Sequence, residues 1–306
     1  MPEPTRPRHR DRPPRRTVPA APQEAGPDRQ TLRSALEEAR GPDPSALSPP
    51  APPLPEGGPG PAGEPASAWD RLRPYEPDPR RLERNLIVTA HRKDPAHAAF
   101  DVLRTKTVAA LRERGWRRVG ITSPTAGCGK SFTALNLAVT LSRYESHRTV
   151  LLDLDLRLPV LARRLGVSDP GAIGDMLRGL VAPEAHLLRV APNPLQIGPS
   201  LALGLNGRPE GFAAELFHDR RTAEALARLE RALAPDILLC DLPPVLAQDD
   251  VIALRPLLDC VILVAAGGMT TPRDLKETAH RLGDDLPILG VVLNRAEGEG
   301  VRDYKY

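Results

Sequence analysis

The run AGCGKS at 126–131 concentrates the chemistry of this 306-residue chain. RVGIT at 118–122 reads as a strand before it, and a helix from Lys130 to about Arg143 reads as following it. A glycine-bearing turn between strand and helix points backbone amides at an anion, and the helix N-terminus adds its dipole to the same group. A lysine at its end reaches the β- and γ-phosphates of a nucleotide, and the next hydroxyl ligates Mg2+. Lys130 and Ser131 fit these two roles. Thr125, Ala126, Gly127, Cys128, Gly129 and Phe132 complete the candidate nucleotide-contacting set. The strict spacing asks for glycine at 124, where this chain has Pro124.

Asp153 and Asp155 follow in VLLDLDLRLP, at the end of a second strand, TVLLD at 149–153. Two apart on extended backbone, they point to one side. One can orient Mg2+ through water while the other accepts a proton from an incoming hydroxyl. Asp241 ends the buried run ILLCD at 237–241 and suits the remaining metal-holding position. Capping of the turns that follow is the structural alternative for all three. Further residues are open to two readings each. Asn294, ending ILGVVLN at 288–294, can offer an amide to an adenine edge or simply form a turn. Arg157 can neutralise phosphate charge or make an ion pair. Cys128 sits where a thiol pKa is lowered, yet a small side chain filling the loop accounts for it equally.

The elements that must position these residues alternate regularly. Helix 95–114 precedes the first strand; shorter helical pieces at 159–165 and 171–179 follow the second. Helix 219–233 leads to ILLCD, helix 249–257 to the strand CVILVAA at 260–266, and helix 272–282 to the final strand. Strands apolar on both faces and separated by helices predict a mostly parallel α/β sheet covered on both sides. LIVTA at 86–90 reads as an edge strand or a buried extended segment, and 201–217 as an ordered loop and helix start. Residues 1–80 hold 21 of the 36 prolines and cannot bury enough apolar surface to fold, so they read as a disordered tail. TLRSALEEAR at 31–40 is at most a marginal helix. From Trp69 to Arg84 the chain reads as an extended strap leading into the domain, with Trp69 as an anchor. The nucleotide-binding domain is expected over 81–296, with a flexible end at 297–306.

Composition removes several classes. Three scattered cysteines exclude a disulfide framework and a paired-cysteine zinc site. No apolar run is long enough for a transmembrane span, and the arginine-rich N-terminus is not a secretory signal. A net charge of +3 gives no ground for a nucleic-acid partner. Six arginines within the first sixteen residues are those of an arginine-rich soluble tail or a contact to an anionic surface.

Taken together, RVGITSPTAGCGKSFTALNLAVTLS, TVLLDLDLRLPVLARRLGV, ILLCDLPPVLAQDD and ILGVVLNRAE resemble the bacterial tyrosine autokinases of capsule and exopolysaccharide assembly, the CpsD/CapB kind. Those belong with the MinD/ParA-like (SIMIBI) P-loop ATPases. The resemblance covers roughly 86–296, and the DLPP element argues for the polysaccharide branch over the division and partition branches. It implies ATP and Mg2+ as cofactors and Asp153 as base for a tyrosine hydroxyl. Asp155 and Asp241 would organise the metal with Ser131, and Asn294 would lie against adenine. Tyr304 and Tyr306, in the terminal VRDYKY, would be the phosphate acceptors. It also implies a cytoplasmic subunit, peripheral at the inner membrane through a membrane-embedded polysaccharide co-polymerase or adaptor. The E-x-x-R-x-x-R helix that joins family members into rings is reduced here to Ala98, Asp101 and Arg104, which weakens the case for a homo-oligomeric ring. Two other expectations use the same residues: a non-kinase ATPase regulating a polysaccharide complex, and a nucleotide-binding scaffold.

Overall fold

The computed structural model describes residues 67–90 and 95–296. The segment up to residue 66, with the 31–40 stretch, and the terminal tyrosines lie outside the described residues. In chain order the elements are β1 (Arg73–Tyr75), α1 (Pro79–Arg84), a 3-10 turn (Val88–Ala90), α2 (Pro95–Arg114), β2 (Arg118–Thr122), α3 (Lys130–Leu141) and β3 (Thr149–Asp153). Three short helices follow, α4 (Leu161–Leu165), α5 (Ile173–Leu177) and α6 (Pro183–His186), then β4 (Leu188–Val190) and β5 (Leu201–Gly204). The chain continues through α7 (Ala213–His218), α8 (Arg220–Leu233), β6 (Ile237–Asp241), α9 (Asp250–Leu254), β7 (Cys260–Ala266), α10 (Pro272–Leu282) and β8 (Ile288–Asn294).

The eight strands lie in the order β1-β4-β5-β3-β6-β2-β7-β8. Every neighbouring pair is parallel except β4 with β5, so β1 and β4 run against the other six. The central strands are buried on both faces, as their unbroken apolar runs require. One apolar layer joins α3 to the sheet through Leu135, Leu137, Leu141 and Ile121; the other joins α8 through Leu226, Leu229 and Leu233 to Leu238. α8 is amphipathic at helical spacing and opens on Asp219, whose side chain accepts from the Arg221 amide. α10 opens on a capping box between Thr271 and Asp274 with Pro272 in the first turn.

The helix α3 is buried nearly all round, because α2 and the segment before it cover its outer face. That coverage explains a difference from the sequence reading. Segment 86–90 is neither a strand nor fully extended. Its 3-10 turn places Thr89 against the buried Asn136 of α3: the Thr89 amide donates to Asn136 Oδ1 at 3.0 Å, and Asn136 Nδ2 donates to Leu86 O at 3.2 Å. A buried amide side chain claims these partners before a sheet edge can. Three strands, β1, β4 and β5, also lay beyond the sequence reading, being three or four residues long.

β1 and the residues before it extend the packed unit upstream of residue 81. Trp69 is buried; its indole N–H donates to Pro199 O at 3.1 Å, and the Arg148 guanidinium lies 5.3 Å from its ring centre. Tyr75 is also buried, its hydroxyl donating to Leu165 O at 2.8 Å. Trp69→Ala is therefore expected to lower unfolding stability by about 3 kcal/mol, read from the urea midpoint. An unchanged midpoint would mean this segment merely rests on the fold.

Candidate nucleotide site

The phosphate loop leaves β2 at the middle of the sheet, between β6 and β7. Ligands of open parallel sheets gather beyond the carboxyl ends of such strands. Gly127 and Gly129 adopt φ of +84° and +99°, the left-handed region that turns the loop back into α3. At Gly129 a side chain is excluded twice over, because a Cβ there would lie 2.1 Å from Asn294 Nδ2. The loop is stitched to its surroundings. Asn294 Nδ2 donates to Cys128 O at 2.9 Å, and Thr122 Oγ1 donates to Pro243 O at 2.7 Å. The Val245 and Leu246 amides donate to Ser123 O and Pro124 O at 2.9 and 3.0 Å. Cys128 is fully buried, with its sulfur 3.6 Å from the hydroxyls of both Thr125 and Thr270. Ala126 and Gly127 are exposed, and Phe132 packs edge-on against Phe100.

Asp153 and Asp241 end adjacent strands as register partners, so their side chains share one face. Leu154 N donates to Asp241 O at 2.9 Å, which holds the turn carrying Asp155 over the same spot. Lys130 closes the cluster. Its Nζ lies 2.5 Å from Asp155 Oδ2, 4.0 Å from Asp241 Oδ1 and 3.4 Å from Ser131 Oγ. Asp153 Oδ2 accepts from the Leu161 amide at 3.1 Å, and Asp155 Oδ1 from the Leu158 amide at 3.2 Å. Two of the three aspartates therefore do receive amide bonds from the turns that follow, as the structural alternative expected. Yet Asp153 Oδ1 and both carboxylate oxygens of Asp241 are buried with no hydrogen-bond partner. Buried acceptors of this kind call for a bound group.

Electrostatics match that geometry. Burial pushes Asp241 up to about 6, against the pull of the Lys130 charge. Burial, then the neighbouring Asp241, raises Asp153 well above the usual carboxylate range. Lys130 loses solvation, which lowers its pKa, but Asp241 and Asp155 outweigh this and hold it above its ordinary value. One ammonium thus serves three acids. The donors suit Mg2+, a hard ion that takes one or two carboxylates and completes its shell with water and phosphate oxygens. Among the described residues no three His, Cys, Asp or Glu side chains form a closed metal cage, which such an ion does not need.

Two sequence candidates are engaged within the protein, Arg157 through the ion pair that was one of its two readings. The Asn294 amide holds the loop carbonyl of Cys128. The Arg157 guanidinium forks onto Asp250, with Nε–Oδ2 at 2.8 Å and Nη2–Oδ1 at 2.9 Å. Asp250 was absent from the sequence candidates, since an acid at the start of a helix reads as a dipole partner. Thr270 was missed because nothing in GGMTTP signals a hydroxyl reaching across to the phosphate loop.

A family model described as the CobQ/CobB/MinD/ParA nucleotide binding domain matches residues 119–305. The tyrosine-protein kinase YwqD of Bacillus subtilis is 26% identical over 235 residues, 74% of this chain and 92% of YwqD. EpsB of Ralstonia solanacearum is 30% identical over 202 residues, 66% of this chain and 26% of EpsB, so the chain spans about a quarter of that relative's length. The crystal structure of the VpsO kinase domain superposes with a TM-score of 0.57 at 28% identity, covering 66% of this chain and 96% of that domain.

Two outcomes follow from the site's geometry. Gly129→Ala is expected to lose about 1–2 kcal/mol to the left-handed backbone alone and more to the clash with Asn294. The pair Gly129→Ala/Asn294→Ala should recover part of that loss in a thermal melt. Asp241→Asn tests the buried charge. A carboxyl whose folded pKa exceeds its unfolded one binds its proton more tightly when folded, so stability falls as pH rises from about 4 through about 6. The variant should be more stable than the parent by about 3 kcal/mol at pH 8, with the gap closing toward pH 4 in urea titrations.

Proposed function

Because the chain belongs to the CobQ/CobB/MinD/ParA nucleotide-binding domain family, we propose that it is a Mg·ATP-dependent protein-tyrosine autokinase regulating exopolysaccharide or capsule polymerisation and export. One observation carries the reading: Lys130 at the mouth of the phosphate loop meets buried Asp155 and Asp241, with buried Asp153 beside Asp241, and the oxygens of Asp153 and Asp241 are not all satisfied within the protein. The likeness to YwqD and to the VpsO kinase domain supports a kinase-type site over other uses of the same loop.

In this reading the amides of residues 125–131 and Lys130 bind the phosphates, and Ser131, Asp155 and Asp241 hold the metal. Bound there, Mg2+ would supply charge neutralisation to the phosphate oxygens. Asp153, raised by burial, accepts the proton of the acceptor hydroxyl at its unpartnered Oδ1. A tyrosine hydroxyl ionises only near pH 10, so a close proton acceptor is the group it needs. The burial of the three carboxylates strengthens each of these interactions. Asn294 would meet the adenine edge through its carbonyl oxygen while its amide nitrogen keeps the loop bond.

Tyr304 and Tyr306 are the proposed acceptors. The ten residues separating Tyr304 from Asn294 span at most about 33–36 Å, enough to reach this site or a neighbour's. A membrane-embedded co-polymerase or adaptor is the proposed partner, bringing the chain to the inner membrane from the cytoplasm. Among the described residues no helix is long and apolar enough to cross a membrane.

An ATPase that directs water at the same phosphate is the second reading, and one observation favours it. Asp101 and Arg104, at the positions where ring-forming relatives carry their joining residues, bond each other within α2 at 3.0 Å. Asp101 also takes His97 at 3.0 Å. A site fed by a neighbour's tail is harder to assemble when these groups are already paired. Incubation of full-length protein with labelled Mg·ATP separates the readings. Label on Tyr304 or Tyr306 that disappears in Lys130→Ala is the expected result. Phosphate release without labelling, with the membrane partner present, would replace the kinase by the ATPase. Tight nucleotide binding with neither would leave a scaffold.

A further inference from the structure

Arg157 stands two residues beyond Asp155, and its guanidinium is already committed. Nε and Nη2 fork onto Asp250, and Nη1 donates to Gly211 O at 3.1 Å. Asp250 is 1% exposed, with the partly exposed Arg157 side chain forked onto it. A carboxylate buried to that degree is tolerated only while its partner stays. Drawing the guanidinium toward a phosphate would strand it.

The fork links three segments beside the site, adding to the packing of α9 on α7 and to the backbone bond between the loop after β5 and the 155–158 turn. Asp250 opens α9 at the far end of the loop leaving Asp241, and that loop is bonded to the phosphate loop at Ser123 and Pro124. Gly211 belongs to the loop after β5, whose Glu210 amide donates to Leu156 O at 2.8 Å. Between these two anchors lies the 155–158 turn, closed by the Leu158 amide on Asp155 Oδ1. Asp155 in turn presents its other oxygen to Lys130. The geometry points to Arg157 as a positioning residue: with Asp250 it fixes Asp155 at its separation from Asp241, so that both carboxylates can serve one metal ion, and it does not bind phosphate. Asp250 becomes the second member of that device. This rests on the nucleotide reading of the site.

Calorimetry of ADP uptake by the full-length chain, with and without Mg2+, tests it. In Arg157→Ala and in Asp250→Asn, metal-free ADP affinity should stay within about threefold of the parent, while the extra affinity conferred by Mg2+ should fall about 10–100-fold. The two changes should not add in the double variant, since each breaks the same tie. Arg157→Lys, which keeps the charge but cannot fork, should fall between parent and alanine, and it carries the comparison should the alanine variant unfold. Loss of metal-free affinity in Arg157→Ala but not in Asp250→Asn would make Arg157 a phosphate ligand and overturn the proposal. So would an unchanged response to Mg2+ in both. A parent chain that takes up no ADP would instead remove the nucleotide reading itself, and this inference with it.

Discussion

Three carboxylates withdrawn from water around a single ammonium set the terms for the rest of this structure. Placing like charges at the ends of two adjacent strands is unfavourable unless something opposite in sign shares the space. Lys130 meets part of that demand, and the unpartnered oxygens of Asp153 and Asp241 measure what remains. The surrounding backbone is arranged to keep this tension in place. The phosphate loop is bonded on one side to the segment after Asp241 and on the other to Asn294. Gly129 is glycine because any Cβ would strike that asparagine. A cluster built this way is poised for a polyanion arriving with a divalent cation, and it is poorly satisfied without one.

Much of that arrangement is legible in the chain itself. RVGIT, TVLLD, ILLCD, CVILVAA and ILGVVLN are strands where their apolar runs say so, because a strand buried on both faces has no alternative use for such a run. The candidate residues of the loop and the three aspartates do come together, since every parallel strand delivers its carboxyl end to one edge. What spacing does not reveal is that β6 lies between β2 and β3. That order makes Asp153 and Asp241 register partners and turns separate motifs into one pocket of charge.

The parts that escaped reading share a cause: their conformations are decided by distant partners. LIVTA has strand-like composition, but a buried asparagine 47 residues away takes its Thr89. β1 is three residues in a proline-rich stretch and exists because β4 offers it an edge. Arg157 and Asp250 are 93 positions apart, and neither type nor local spacing announces the fork between them. Asn294 shows a further limit. Its position at a strand end was legible, whereas the atom it donates to depended on the shape of the loop opposite.

The sheet's outermost strands bear on how such a molecule could be handled by others. β1 opens the described chain at one margin, secured by Trp69 and by the Arg189–Asp70 pair, while β8 closes it at the other. Eight strands at the usual spacing put these margins roughly 34 Å apart. The described chain therefore enters the sheet at one margin and leaves it at the other, with the phosphate loop between them.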